Sequence, residues 1–298
     1  MEYERLKVQQ PQWGGVNVLR VGDTLVDTGH VAAVSRDAVR EALTEGPLAG
    51  VDRVLHTHPH IDHVGGSQTI EAVADLPHVV PAGQTELLHD YTGYLRRARA
   101  EMTRLLAGLG VEEGTWDTYF PLLDYAEDDI EVVRELGDGD RVELGGESLT
   151  AVSTPGHADP HLAFHHEPSG TLFSGDLVDP SGRFQYGPLL GDVGAYVESL
   201  RRVESLAPAR LVPMHGPAME DPAARVETAL ADVERTVDRL LTRLADGPFL
   251  VREFVVDALG IEDFRVGYVT LTMYEYLRYL ERRGECTLSV TDEGIRVR

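Results

Sequence analysis

Apolar and polar positions along this chain follow two periods, close to two in some segments and close to 3.6 in others. The switches between them mark out its elements. "VNVLRVGDTLVDTGH" (16–30) predicts two short strands joined at Gly22-Asp23, a turn dipeptide. "RDAVREALTEG" (36–46) has helical spacing and closes on a glycine. "VDRVLHTH" (51–58) reads as a short apolar strand running into a group of histidines, after which Gly65-Gly66-Ser67 opens a helix, "SQTIEAVADL". "HVVPAG" (78–83) reads as another strand. Residues 84–129 then break the pattern: a helical stretch of mixed character leads into "VEEGTWDTYFPLLDYAEDD", which is aromatic, acidic and loop-like. The segment is expected to be an insertion lying over the site and setting substrate choice.

Strand signals resume at "DRVELGGESLTAVSTPGH" (140–157), turning at Gly145-Gly146. A second hairpin, "HLAFHHEPSGTLFSGDLV" (161–178), turns at Pro168-Ser169-Gly170. "VGAYVESLRRVESL" (193–206) predicts an amphipathic helix, "ARLVPMHG" (209–216) a strand, and about 220–246 a long helix. After Gly247-Pro248, two helical stretches precede "ECTLSVTDEGIRVR", a predicted hairpin. Helices followed by a two-stranded wing suggest a small winged-helix-like unit. The expected organisation is an α/β body over 1–220, interrupted by 84–129, and a long helix plus winged-helix-like domain over 221–298.

Composition narrows the classes. The 298 residues suit one large domain or a domain with an appendage. The single cysteine, Cys286, excludes an internal disulfide and a cysteine-based zinc site. No apolar run reaches about 18 residues, so no membrane span is expected. The opening "MEYERLKVQQPQWGG" lacks the apolar core of a secretory signal, and a cytoplasmic location is the expectation. Fifty acidic residues face 27 basic ones, a formal net charge of −23, and Lys7 is the only lysine. Such a surface suits a chain working at high salt, where repulsion is screened, and resembles halophilic proteins. GC-rich coding bias is the other source of this composition. Either way, a polyanion such as RNA is a poor partner unless local arginines or metals attract it.

The candidate chemistry lies in "LHTHPHIDHVGG" (55–66), where four histidines and an aspartate fall within eight residues. Imidazole and carboxylate are ligands preferred by zinc, manganese and iron. On a segment leaving a strand, His58 and His60 are two apart and point the same way, so they can hold one metal together. Asp62 and His63 follow where the chain turns toward a helix, and they can hold a second. Two ions need more ligands, and three candidates stand at predicted strand ends: His157 in "STPGH", Asp176 in "FSGD" and His215 in "VPMHG". Strand ends are where α/β architectures place their sites.

The H-x-H-x-D-H run with a later His, Asp and His resembles the metallo-β-lactamase-fold hydrolases. The resemblance extends over about 14–220 and includes Asp27-Thr28-Gly29, the TPGH segment, SGD and the final HG. It implies a four-layer αββα sandwich. It also implies that His58, His60 and His157 hold one metal, that Asp62, His63 and His215 hold another, and that Asp176 bridges both. Asp27 would fix the ligand loop without binding metal. Within the family, "GDLV", Gly191-Asp192, Tyr196, "SLRRVESL", "PMHGPAMEDP" and the C-terminal pattern resemble the subgroup that includes the lactamase-like endoribonuclease of mitochondria and many prokaryotic hydrolases. The His-Arg pair that this subgroup often carries in the long helix is absent, and "DVERTVDR" (232–239) lies there instead.

Two metals about 3.5–4 Å apart share a bridging water, whose pKa zinc brings to about 7, giving a hydroxide nucleophile. Asp62 would orient that nucleophile. The expected activity is therefore metal-dependent hydrolysis of an ester-like bond, first of all a thioester or another small acyl compound. An RNA phosphodiesterase and an iron-dependent sulfur dioxygenase are the alternatives. Two divalent metals per chain are expected, zinc before iron or manganese, with a small-molecule substrate and a homodimer as an open option. His161 is read either as lining the pocket or as structural. His56 is expected to be buried, and His165-His166 exposed beside a turn. The insertion aromatics Tyr91, Tyr94, Trp116, Tyr119, Phe120 and Tyr125 are expected mainly to pack, and "RFQYGP" (183–188) to border the site. Arg96, Arg97 and Arg99 read as a solvated helix face.

Overall fold

The computed structural model describes residues 1–11, 14–111, 126–127, 129–180, 191–262 and 265–298. Six strands form a first sheet in chain order: β1 (Glu4–Gln9), β2 (Gly15–Val21), β3 (Thr24–Val26), β4 (Arg53–Leu55), β5 (His78–Pro81) and β6 (Val132–Leu136). β1 to β3 pair antiparallel and β3 to β6 parallel. The helices between these strands are α1 (Ala33–Glu45), α2 (Gly65–Thr69), α3 (Glu71–Ala74), α4 (Thr85–His89) and α5 (Tyr91–Gly108).

The second sheet contains β7 (Arg141–Leu144), β8 (Glu147–Ser153), β9 (Leu162–His166), β10 (Thr171–Gly175) and β11 (Arg210–Pro213), in the order β11-β10-β9-β8-β7. It is antiparallel except for β10 and β11, which α6 (Val193–Leu206) connects in parallel. Asp192 caps α6 by accepting from the Ala195 N–H at 2.9 Å, an arrangement worth about 0.5–2 kcal/mol.

Alternation along the strands explains the layering. In β9, Leu162 and Phe164 enter a core shared with Leu25, Val54 and Leu55 of the first sheet. Ala163 between them joins a different core, with Val197 and Leu200 of α6. Phe173 and Val212 face the first core, and their neighbours Leu172 and Leu211 the second. A sheet buried on both faces needs such two-sided apolar runs. On the far side of the first sheet, Val39 and Ala42 of α1 are buried with it. The layers run helix, sheet, sheet, helix.

The chain continues through α7 (Pro222–Ala245), β12 (Phe249–Leu250), α8 (Val251–Glu253), a π-helical turn (Phe254–Ala258), α9 (Val266–Arg282), β13 (Leu288–Thr291) and β14 (Gly294–Val297). The three strands pair antiparallel in the order β12-β14-β13. Phe249, Phe254, Leu271, Tyr276 and Val297 share one apolar cluster with Ala163, Leu172 and Leu211, so this part packs on the outer face of the second sheet.

Local readings differ from this structure at several points. β1 and β6 have no counterpart among the expected strands. β1 buries Val8 with Leu6 half-buried, and β6 buries Leu136 with Val132 half-buried, so each carries only two inward apolar residues among charged ones, and both are sheet edges where charged residues are tolerated. The strand read over 51–58 ends at Leu55, and the helix after Gly65 breaks at Ile70. The helical stretch from Phe249 begins with two strand residues and includes the π-helical turn. His166 is 4% exposed, not solvent-facing: its Nδ1 lies 2.7 Å from the Ser169 hydroxyl and so closes the β9–β10 turn.

Candidate metal centre

β3 and β4 run parallel, as do β10 and β11, and β8 shares their direction because two antiparallel pairings separate it from β10. The residues following these strands therefore gather at one end of the sandwich. Asp27 follows β3, residues 56–63 follow β4, His157 follows β8, Asp176 follows β10 and His215 follows β11. His58 and His60 converge from an irregular segment beyond β4, not from one face of a strand as their spacing suggests.

Asp27 is the hub. It sits fully buried at φ 53, a left-handed conformation that Asp adopts more readily than most residues. Its Oδ1 accepts from the Thr57 N–H at 2.9 Å, and its Oδ2 accepts from the Thr57 hydroxyl at 2.7 Å and from His63 Nδ1 at 2.8 Å. With its proton given to Asp27, the Thr57 oxygen accepts from His58 Nδ1 at 2.9 Å. One carboxylate thus sets two tautomers, leaving the Nε2 lone pairs of His58 and His63 turned toward the site. His215 is set the same way by the Gly15 carbonyl, 3.1 Å from its Nδ1. His56, fully buried, reaches Asp27 Oδ1 only at 3.5 Å, and its Nε2 lies 3.1 Å from Ser67 Oγ.

Gly65 and Gly66 make this packing feasible. A Cβ on Gly65 would stand 2.5 Å from Gly29 O, and one on Gly66 2.8 Å from Thr28 Cβ. The close approach lets the Thr28 N–H and hydroxyl both donate to His63 O, at 2.7 and 2.9 Å.

Three donor groups result; in one of them, Asp27/His58/His63, the carboxylate is already taken up by Thr57 and His63, which leaves two clusters facing the site. His58, His60 and His157 each offer a nitrogen within 4.8 Å of the others, and so do the ligand atoms of Asp62, His63 and His215. His60 Nδ1 lies 3.1 Å from His58 Nε2 and 2.9 Å from His157 Nε2. A single proton cannot bridge both pairs, whereas a cation satisfies three converging lone pairs at once. Asp176 Oδ2 lies between the clusters, 3.4 Å from His63 Nε2, 3.5 Å from His157 Nε2 and 3.1 Å from His215 Nε2. His63 Nε2 and Asp176 Oδ1 are buried with no hydrogen-bond partner among the described residues. Buried groups of this kind normally have partners, so the donor set fits divalent cations of borderline hardness.

The electrostatics show what the cluster does with protons. Burial alone would keep His63 and His215 neutral, but the carboxylates of Asp176 and Asp62 outweigh it. His63 is raised well above the ordinary imidazole value and His215 to about 10. Burial likewise opposes charge on Asp62 and Asp176, and the neighbouring histidines override it and hold both carboxyls low. His58 is pushed well down by burial and then by His63 and His60. Without metal, His63 and His215 therefore hold a second proton among ionised carboxylates, and a cation taking their Nε2 lone pairs would displace it.

The sequence profile of the metallo-beta-lactamase superfamily matches residues 12–215. The chain belongs to that superfamily. It is 28% identical over 241 residues to the "Probable metallo-hydrolase YqjP" of Bacillus subtilis, covering 75% of this chain and 70% of that one. It is 27% identical over 237 residues to the "Lactamase-like protein adaB" of Aspergillus niger, covering 78% of this chain and 60% of that protein's length. A solved metallo-beta-lactamase family protein from Thermus thermophilus superimposes with a TM-score of 0.78 at 23% identity, over 99% of this chain and 97% of that one. It shares the fold.

Other candidates take different places. His161 is 1% exposed, with its Nε2 turned to the Asp176 backbone nitrogen and its ring against that of His58. Tyr91 and Tyr94 are buried in a small apolar cluster with Ile61 and Leu88, and the Tyr91 hydroxyl donates to Pro59 O at 3.0 Å, bracing the ligand loop from α5. Arg97 pairs with Asp90 at 2.7 Å on the surface. Trp116, Tyr119, Phe120, Tyr125 and residues 183–188 lie outside the described residues. The role of Thr57 is not evident from the sequence pattern, although its place immediately before the first ligand candidate is a usable signal.

Proposed function

We propose that this chain is a metal-dependent hydrolase that cleaves an ester-like bond in a small acyl substrate, first of all a thioester. One observation supports it above others: two donor clusters, His58/His60/His157 and Asp62/His63/His215, meet on either side of Asp176 Oδ2. The seven residues would hold two divalent ions, zinc before iron or manganese. Bound there, such ions supply Lewis acidity toward a carbonyl or phosphoryl oxygen and a water acidified to near neutral pH.

The chain's own residues do the rest. Asp27 and Thr57 keep the His58 and His63 lone pairs facing inward. Asp62, at 17% side-chain exposure the more accessible of the two cluster carboxylates, orients the attacking water and takes its proton at a carboxylate oxygen. The "metallo-hydrolase" of the Bacillus relative's name points to the same class. The C-terminal helices and three-stranded sheet serve as a winged-helix-like packing or dimerisation unit, given the net charge of −23.

The test is metal content together with a thioester, lactone and single-stranded RNA screen on one preparation, at low and molar KCl. Two zinc ions per chain with thioester turnover is the expected result. Asp62→Ala and His60→Ala should each abolish turnover with the fold intact. Full activity of either variant, stripped of metal and reloaded, refutes the site. One iron with oxygen consumption would instead make the chain a dioxygenase, and RNA cleavage alone a phosphodiesterase. A melting temperature that does not rise with KCl removes the halophilic reading of the acidic surface.

A further inference from the structure

The spacing of His161, four residues after His157, leaves its role open, and the fold places it where three ligand-bearing segments meet. Its Nε2 lies 3.1 Å from the Asp176 backbone nitrogen. An amide N–H only donates, so Nε2 is a lone pair and the ring proton sits on Nδ1. That proton is given to the Thr154 hydroxyl, 2.7 Å away. The backbone on either side is tied as well. The Thr154 N–H donates to His161 O at 3.0 Å, and the Leu162 N–H donates to Thr57 O at 2.9 Å, in the residue before His58. The His161 ring packs 5.1 Å from that of His58.

Asp176 receives its direction from this arrangement. The Met214 N–H donates to Gly175 O at 3.0 Å, so the Gly175–Asp176 peptide is held on one side by the residue that follows β11 and on the other by His161. Gly175 has φ +54, and a Cβ there would stand 2.5 Å from His161 Nε2, so the imidazole occupies the space that any larger residue would need. The side chain aimed by this peptide puts Oδ2 within 3.1–3.5 Å of His215, His63 and His157. We propose that His161, locked by Thr154, is a positioning residue that fixes the Asp176 peptide and so aims its carboxylate between the two donor clusters. The inference rests on the metal reading above and assigns His161 no contact with substrate.

The test compares wild type with His161→Leu, His161→Gln and Thr154→Val in two measurements. In metal-free wild type, imidazole 15N shifts should show His161 as the Nδ1–H tautomer. In Co2+ titrations, His161→Leu should bind roughly 10- to 100-fold more weakly, the loss typical of removing a partner that orients a ligand. Its d–d spectrum should also change. His161→Gln, whose Oε1 can accept the Asp176 N–H, should recover part of that loss, and Thr154→Val should show a smaller loss of the same sign. Wild-type Co2+ affinity and spectrum in folded His161→Leu, or an Nε2–H tautomer in wild type, overturns the proposal. Should His161→Leu not fold, unchanged Co2+ affinity and tautomer in Thr154→Val overturns it. A wild type that takes up no Co2+ removes the metal reading and this inference with it. A wild type that binds while the variants bind equally removes only the inference.

Discussion

Replacing Asp27 by Asn changes one atom and leaves the backbone at ease, because Asn also tolerates the left-handed conformation found at φ 53. Three donors converge on the carboxylate: the Thr57 N–H, the Thr57 hydroxyl and His63 Nδ1. The amide offers one oxygen and one NH2. With its oxygen at the Oδ2 position, the NH2 faces the Thr57 N–H. With the amide flipped, it faces the hydroxyl and the imidazole. Either way a buried donor is left unpaired, at a cost of about 1–3 kcal/mol, and the remaining hydrogen bonds lose their charge assistance. The Thr57 hydroxyl then has reason to turn toward His58 Nδ1, which would put the His58 proton on Nε2, inside the site.

Asp27→Asn should therefore lower the stability of the metal-free protein by about 2–3 kcal/mol. It should also weaken Zn2+ binding about 10- to 100-fold, or roughly 1.4–2.8 kcal/mol. The stoichiometry should not change, because Asp27 aims ligands and is not one. Asp27→Ala should lose more, since Ala loses about 1–2 kcal/mol at a left-handed position. Urea unfolding in chelator and competition titrations against a chromophoric chelator measure the two effects. Zinc affinity within twofold of wild type would refute the tautomer argument, and a lost equivalent of metal would make Asp27 a ligand.

Two further outcomes follow from packing and protons. Gly65→Ala, which drives a methyl against the Gly29–His30 backbone, should cost about 1–3 kcal/mol in urea unfolding, and an unchanged midpoint would show that the α2 packing is slack. Burial lowers His78 and His161 to about 3, against an unfolded value near 6.5. The unfolded chain takes up these protons first, so metal-free stability should fall as pH drops from about 6.5 toward 3, by up to roughly 5 kcal/mol per group. His215, raised to about 10, acts in the other direction and should withdraw stability as pH climbs from 6.5 to 10. Melting in chelator that is flat from pH 4 to 6.5 would contradict the neutral burial of His78 and His161.

What the sequence determined by itself was the inventory. Ligand types and spacings are covalent facts, so H-x-H-x-D-H with a later His157, Asp176 and His215 named the candidates before any fold was known. Strands buried on both faces, such as "LAFHH" and "TLFSG", were legible because their apolar residues are set by burial alone. Edge strands β1 and β6 were not, because an edge can be charged without penalty. Only the tertiary structure decided direction. It put His161 behind Asp176 when its spacing allowed a pocket wall, and it buried His166 when its place near a turn suggested solvent. It also made Thr57 the link between Asp27 and His58. The reason is physical: a hydrogen bond fixes which nitrogen of an imidazole carries its proton, and Asp27, which holds His63 directly and His58 through the adjacent Thr57, lies 30 residues or more away in sequence, brought close only by the stacking of strand ends.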